Sequence, residues 1–556
     1  MSGCTPIMNE NSVRRADCES ALRSSAPEPD ASSGGYLRNR DNIIFQQGDS
    51  TMQVDIKQGN ILESDADLII VNLFEEVTEP AGATGAVDKA LDGQISKLIE
   101  LGDCSGELGE TTLFYTLGRL PAPRVLVVGL GKADAFDINN ARIAAAKAIR
   151  AARNAGAKQA ATMVHGAGAG AGGLDAAEAA QALVEASLLE NYEMPAQRSG
   201  EADAKSVETL TLLEYNADAI PLLETGVRTG RIVAESAIFS RDLSATPSNI
   251  ATPAYIANKA MDVAKETGLD ITVMEWGEME ELGMNILLAV AKGSDEPPKF
   301  IILEHNKEKA DELPTIVLVG KGVTFDSGGY SLKRAEGMWK MKYDMSGAAN
   351  VLATLRAVAL LNLPLHVVGL MPLVENMING HAQKPGDVYK GMTGKTMEVI
   401  STDAEGRMIL ADALAYAGRF KDARAVIDQA TLTGAISTAL GQQAAGLFTE
   451  DESLKARLLA ASEATGERLW PMPMFDEYKA SIKSDFADVK NSSSPDRAAG
   501  VSTSAKFLQH FTEDYPWAHL DIAGMSWTKK PRPMYPAGAA AFGVRLLVHM
   551  LQSWGS

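Results

Sequence analysis

The sequence predicts an α/β protein of two domains: a smaller N-terminal α/β domain and a larger C-terminal domain in which helices flank a central mixed sheet. Three observations predict it. Apolar runs of strand length alternate with alanine-rich stretches of helical length across most of the 556 residues, the pattern of strands joined by crossing helices. A polar connection near 195–207 interrupts the alternation. Beyond it, Thr252-Pro253 restarts a helix with a capping hydroxyl followed by a residue preset for the first turn.

Residues 1–45 are polar, rich in Ser, Pro, Asp and Glu, and lack strand or helix periodicity, so they read as a disordered tail. The first domain, 46–215, has buried-type strands at Leu68-Ile-Ile-Val71 and Val125-Leu-Val-Val128. Its helical stretches run from Asn140 to Ala155 and from Leu174 to Tyr192. A long helix over Leu222 to Leu243 joins the two domains, the linker being 216–240. In the second domain, 241–556, strands are expected at Ile271–Met274, Phe300–Leu303, Ile316–Val319, His366–Leu370, Ala425–Asp428 and His519–Ile522. Helical segments between several of them imply a mostly parallel or mixed sheet covered on both faces.

Bulk chemistry narrows the function. A hydrophobic share of 46% supplies large cores, and the formal charge of −20 disfavours nucleic acid and anionic membranes as partners. Ala357 to Val374 is the most lipid-like stretch, but Asn362, Pro364, His366 and Pro372 interrupt it; it reads as a helix end followed by a buried strand. Three cysteines without metal spacing, and no apolar leader in the first 50 residues, point to a reducing, cytoplasmic location.

The glycine-rich stretches do not read as nucleotide sites. Gly168 to Gly173 matches a dinucleotide fingerprint only through Gly/Ala repetition, with no acidic partner after a second strand. Gly129/Gly131 and Gly320/Gly322 lack a third glycine, and no H-E-x-x-H pair is present. His519 reads as structural.

Two clusters carry the chemistry. In Ser401-Thr-Asp-Ala-Glu-Gly-Arg407, Asp403 and Glu405 are two residues apart and, in an extended strand end, would face one small cation with Arg407 beside them. Upstream lie Lys321, Asp326, Lys333 and Asp344, among glycines that let the backbone approach a ligand closely. Oxygen donors dominate both clusters, as hard divalent cations require.

These residues carry a resemblance. Val319 to Lys333, Met341-Lys-Tyr-Asp344-Met and Thr402-Asp-Ala-Glu-Gly-Arg407, in that order, resemble the leucyl (cytosol) aminopeptidase family of two-metal exopeptidases, peptidase family M17. Val374-Glu-Asn-Met377, Lys384-Pro-Gly-Asp387, Asp428 to Ala435, Ala487 to Asn491, Trp517 to Gly524 and Phe542 to Leu547 extend the likeness over the C-terminal 315 or so residues, which begin at Arg241.

The resemblance implies two divalent ions per subunit, manganese or zinc foremost, with Asp326 and Glu405 shared, Asp403 completing one site, and Lys321 and Asp344 the other. It implies Lys333 as the catalytic ammonium, Arg407 as the holder of a bicarbonate, and Met338 in the side-chain pocket. It further implies peptide substrates with a free, leucine-like first residue, and a homohexamer. A lysine ligand must be the neutral amine, so the ion-loaded site has to depress the ordinary pKa of Lys321, near 10.4. The chain departs from the family pattern at Ser346, Lys384 and Ser401, none of them an implied ligand.

Overall fold

The structure, a computed structural model, describes residues 52–166, 172–194, 205–493 and 498–554. The expected tail over 1–45 and most of the Gly168–Gly173 stretch lie outside the described residues.

Two open sheets organise the chain. The first has six strands in the order Gln53–Gln58, Thr209–Glu214, Gln159–Thr162, Leu68–Leu73, Arg124–Gly129 and Thr111–Tyr115. All its pairings are parallel except the last. Helix Ile138–Asn154 starts two residues before the alanine-rich pattern suggests. The reason is local: the Asp137 carboxylate accepts hydrogen bonds from the free N–H groups of Asn139 and Asn140.

The second sheet has nine strands. Its core is four parallel strands, Trp517–Asp521, Ala425–Ala430, Thr315–Gly320 and His366–Asn376. Antiparallel Lys299–His305 and Asp270–Met274 extend one side, and Ala445–Phe448 and Leu469–Pro471 the other. All four parallel strands were legible as apolar runs, and they are buried on both faces. Ala445–Phe448, Leu469–Pro471 and the ninth strand, Gly322–Asp326, lack such runs, being short or glycine-bearing.

One strand is much longer than its pattern. His366–Asn376 pairs with Thr315–Gly320 through its first half and with Gly322–Asp326 through its second. The chain steps aside at Lys321, whose N–H is then free to donate to Gln429 O at 3.1 Å.

The expected linking helix is Ile220–Ala245. It packs against Ala176–Asn191 of the first domain and Ser346–Leu361 of the second. Buried ionic contacts reinforce the junction: Arg545 Nη1 donates to Glu185 at 2.6 Å, and Arg241 donates to the carbonyls of Leu189 and Met534. The helix after Thr252 runs Pro253–Thr267 and ends at Gly268, whose φ of 76° completes the stop. No helix among the described residues is long and apolar enough to cross a membrane.

Candidate metal centre and its cavity

The carboxyl ends of the parallel strands in the second sheet converge on a cavity of about 260 Å³, the place where open α/β sheets bind ligands. Lys321 follows Thr315–Gly320, Asp326 ends Gly322–Asp326, Thr431 follows Ala425–Ala430 and Asp521 ends Trp517–Asp521. Asp344 arrives on the 3-10 segment Met338–Met345, and Glu405 sits at the start of helix Gly406–Ala417.

The segment 401–407 departs from expectation. It is a turn running into a helix, with Glu405 at φ −74° and ψ −36°, and not an extended strand end. Alternation therefore does not bring Asp403 and Glu405 together; the turn does. One carboxylate oxygen from each of Asp326, Asp403 and Glu405 lies within 4.8 Å of the others.

Two ammoniums hold the carboxylates. Lys321 Nζ lies 2.9 Å from Asp344, 3.0 Å from Glu405 and 2.9 Å from the Thr431 carbonyl. Lys333 Nζ lies 2.6 Å from both Asp326 and Asp403. Lys321, Asp326, Asp344 and Glu405 are buried, while the Asp403 side chain is 38% exposed and that of Lys333 23%. The pair Asp403–Lys333 is thus the solvent-facing part of the cluster.

Gly406 makes the packing feasible. A Cβ there would stand 2.4 Å from Lys321 Cε, so any other residue would displace the lysine stem. Gly328 and Gly329, at φ 88° and 61°, turn the chain from Asp326 towards Lys333, a conformation that side-chain-bearing residues avoid.

The electrostatics follow from crowding. Burial raises the Asp326, Asp344 and Asp403 carboxyls, Asp344 to about 6, with Glu405 adding to each rise. Glu405 moves the other way: burial would raise it, but Lys321 and Lys333 hold it down. For both lysines burial alone favours the neutral amine, yet the surrounding carboxylates outweigh it and raise them. The protein groups by themselves therefore favour a Lys321 ammonium, and only added cations can produce the neutral amine that the sequence argument requires.

The residues fit divalent cations. The donors are four carboxylates and one amine, the hard set such ions take, and Glu405 Oε2 is buried with no hydrogen-bond partner. An unpartnered anionic oxygen is costly unless a cation meets it.

Sequence reasoning missed the supports. Asn376 Nδ2 donates to Asp326 at 2.8 Å and to the Thr402 carbonyl at 2.9 Å. Thr431 Oγ1 donates to Asp344 at 2.7 Å. Asp521 accepts N–H bonds from Leu432, Thr433 and Ala523 and the Thr433 hydroxyl at 2.7 Å, tying together two loops that line the cavity. Each lies in a stretch whose likeness was read from sequence, but uncharged or distant side chains give no sign there of what they will hold.

Arg407 is half-buried in the first turn of its helix and donates from Nη1 to the Asn491 carbonyl at 2.8 Å. Its Nε has no partner. Burial draws the guanidinium down to about 10 against the pull of Glu405, Asp521 and Asp403, and it stays cationic at neutral pH. Met338 is not part of the cavity wall; Met341 is, with Tyr343 and Trp527. His519 is buried in its strand, 2.5 Å from Asp428 and away from the lining, a structural place as expected.

Known proteins resemble this chain in sequence and fold. The cytosol aminopeptidase family's catalytic domain matches residues 238–548, and its N-terminal domain matches 70–201. A probable cytosol aminopeptidase of Geobacter sulfurreducens is 46% identical over 468 residues, covering 84% of this chain and 92% of that one. One of Roseiflexus castenholzii is 44% identical over 506 residues, covering 90% and 99%. Among solved structures, the bottromycin maturation enzyme BotP in complex with Mn is similar with a TM-score of 0.78 at 34% identity, covering 88% of this chain and 100% of that one. A variant of tomato leucine aminopeptidase is similar with a TM-score of 0.80 at 31% identity, covering 91% and 97%. Fold and matches together define a peptidase, a hydrolase of metal-dependent type. The chain belongs to the cytosol aminopeptidase family.

Proposed function

We propose that the protein removes unsubstituted N-terminal amino acids, leucine-like residues foremost, from peptides in intracellular turnover, using two divalent ions held by Lys321, Asp326, Asp344, Asp403 and Glu405. The observation that carries this reading is the convergence of four carboxylates and two lysines at the sheet's carboxyl edge, with one buried Glu405 oxygen unpartnered. Asp326 and Glu405 would be shared between the ions, with Asp403 completing one site and Lys321 with Asp344 the other. Bound there, the ions supply Lewis acidity towards water and the peptide carbonyl.

The chain's own groups do the rest. Lys333, the more exposed ammonium, donates a hydrogen bond to the carbonyl oxygen and stabilises the negative charge that develops on it. Arg407, with its free Nε donor, is the place for a bicarbonate that carries protons, because a guanidinium offers a planar fork to such an anion. The peptidase part corresponds to 241–556, with 216–240 joining it to 46–215. Cytoplasmic location and a homohexamer follow from the family resemblance.

The test is a leucine-anilide assay combined with metal analysis. Chelation should remove two ions per chain and abolish turnover, and manganese or zinc should restore both. Full turnover by metal-stripped protein, or none by metal-loaded protein, overturns the reading.

A further inference from the structure

The lining of the catalytic cavity carries seven charged side chains. Six pair among themselves, through Lys321 with Asp344 and Glu405 and through Lys333 with Asp326 and Asp403. The seventh is Lys340. Among the described residues it has no carboxylate partner.

Its surroundings are aromatic. Lys340 Nζ lies 4.5 Å from the Trp527 ring centroid and 5.8 Å from that of Trp339. Trp527 stacks on Tyr343 with ring planes 2° apart and meets Trp339 edge-on at 6.3 Å. Ring faces attract an ammonium and fix its position without cancelling its charge or occupying its N–H donors. Trp527 and Tyr343 also line the cavity, so the shelf that holds Lys340 is part of the substrate space.

The lining holds four carboxylates against three lysines, in a chain where 72 acidic residues face 52 basic ones. With the four carboxylates committed to the ions and to Lys321 and Lys333, Lys340 is the cation of the lining left to meet a carboxylate that the substrate brings. A volume of about 260 Å³, just under the ~300–1,000 Å³ of drug-sized ligand pockets, brings any group beside the first peptide residue close to the wall.

We propose that Lys340 is a specificity-determining residue that favours peptides with a carboxylate in the residue after the scissile bond. The source is the α-carboxylate of a dipeptide or an acidic side chain in second position. This rests on the aminopeptidase reading above and adds to it the preferred substrate class.

The test compares kcat/KM of the metal-loaded, full-length protein on Leu-Ala against Leu-Ala-amide, and on Leu-Asp-amide against Leu-Asn-amide. The carboxylate-bearing member of at least one pair should be favoured roughly two- to fivefold, the scale of a partly exposed ion pair. The preference should shrink at high salt. Lys340→Gln should bring the ratio to about one, and Lys340→Arg should keep it, whereas a merely structural lysine would alter both members of a pair alike. A preference in the first pair alone names the dipeptide terminus as the source, and in the second alone the acidic side chain. Equal rates within both pairs, or a ratio unchanged by Lys340→Gln, overturn the inference and leave the aminopeptidase reading standing. Failure of the metal-loaded protein to cleave any of the four peptides overturns both.

Discussion

The chain contains two open α/β sheets, each with a crevice at the carboxyl ends of its parallel strands, and the two crevices differ in their chemistry. In the first sheet a cavity of about 440 Å³ lies beside the ends of Gln53–Gln58, Gln159–Thr162 and Thr209–Glu214. Ile61, Met163, Val164 and Leu213 are among its lining, and among the described residues Glu214 is the one charged residue in it. In the second sheet a smaller cavity holds seven charged side chains. Topology supplied both crevices. What separates them is the residue at each strand end, and whether the frame can keep buried charges paired, since a buried carboxylate without a cation costs several kcal/mol.

The comparison breaks most completely at Lys321. Arginine there places a fixed charge where an amine is needed and has no room beside Gly406. We expect Lys321→Arg to lose at least one ion per chain and all measurable activity, with Lys342→Arg tolerated as the control. A folded Lys321→Arg protein that still binds two ions would sink the ligand assignment.

Lys333 comes next. Lys333→Ala should keep both ions, since it removes a counter-charge and not a donor, while kcat falls about 10²–10³-fold, as for loss of one oxyanion donor. Near-normal turnover at full metal content would take Lys333 out of the chemistry.

A smaller effect depends on pH. Asp344 is raised to about 6 by burial, and Asp326 and Asp403 are raised for the same reason, whereas an unfolded aspartate titrates near 3.9. Between about 4 and 6 the ion-free native state holds a proton on Asp344 that the unfolded chain releases, so Asp344 contributes stability at low pH that is lost as pH rises through about 6, and the raised Asp326 and Asp403 act with the same sign. Glu405 is depressed and has the opposite sign, but its window lies below the ordinary glutamate pKa near 4.3. The two lysines, both raised, stay protonated in both states throughout this range. Metal ions replace the missing positive charge, so excess manganese should raise Tm by several degrees more at pH 7.5 than at pH 5.5. Equal shifts in a thermal melt would contradict the assignment of these carboxyls.

The smallest effect belongs to the first crevice. The half-buried Glu214 carboxylate accepts from the Asn216 N–H at 2.8 Å and, among the described residues, has no cationic partner. Glu214→Gln should change stability by no more than about 0.5 kcal/mol and leave metal content and turnover unaltered. A clear loss of activity would show that the two crevices communicate.

Much of the fold is legible in the sequence. The four parallel strands of the second sheet are apolar runs because both their faces are covered, and Thr252-Pro253 and the long linking helix carry their own local signals. The candidate site was readable as a set of residue types: Lys321, Asp326, Asp344, Asp403 and Glu405 are hard-cation donors whichever way the chain folds, and Lys333 and Arg407 stand within the same motifs. Their burial and distances were not readable, because pairing between residues as far apart as 321 and 405 depends on how strands align in space.

The sequence by itself therefore determined the α/β class, the two-domain order and the family, since periodicity, capping and motif order are local properties of the chain. Tertiary structure alone decided the rest. It turned 401–407 into a helix start and extended His366–Asn376 past its apolar run to carry Asn376 to Asp326. It placed Met341 in the cavity wall in preference to Met338, and set Lys340 on an aromatic shelf without a carboxylate partner. The physical reason is the same each time: the partners are distant in sequence, and only the packed sheet fixes which of them meet.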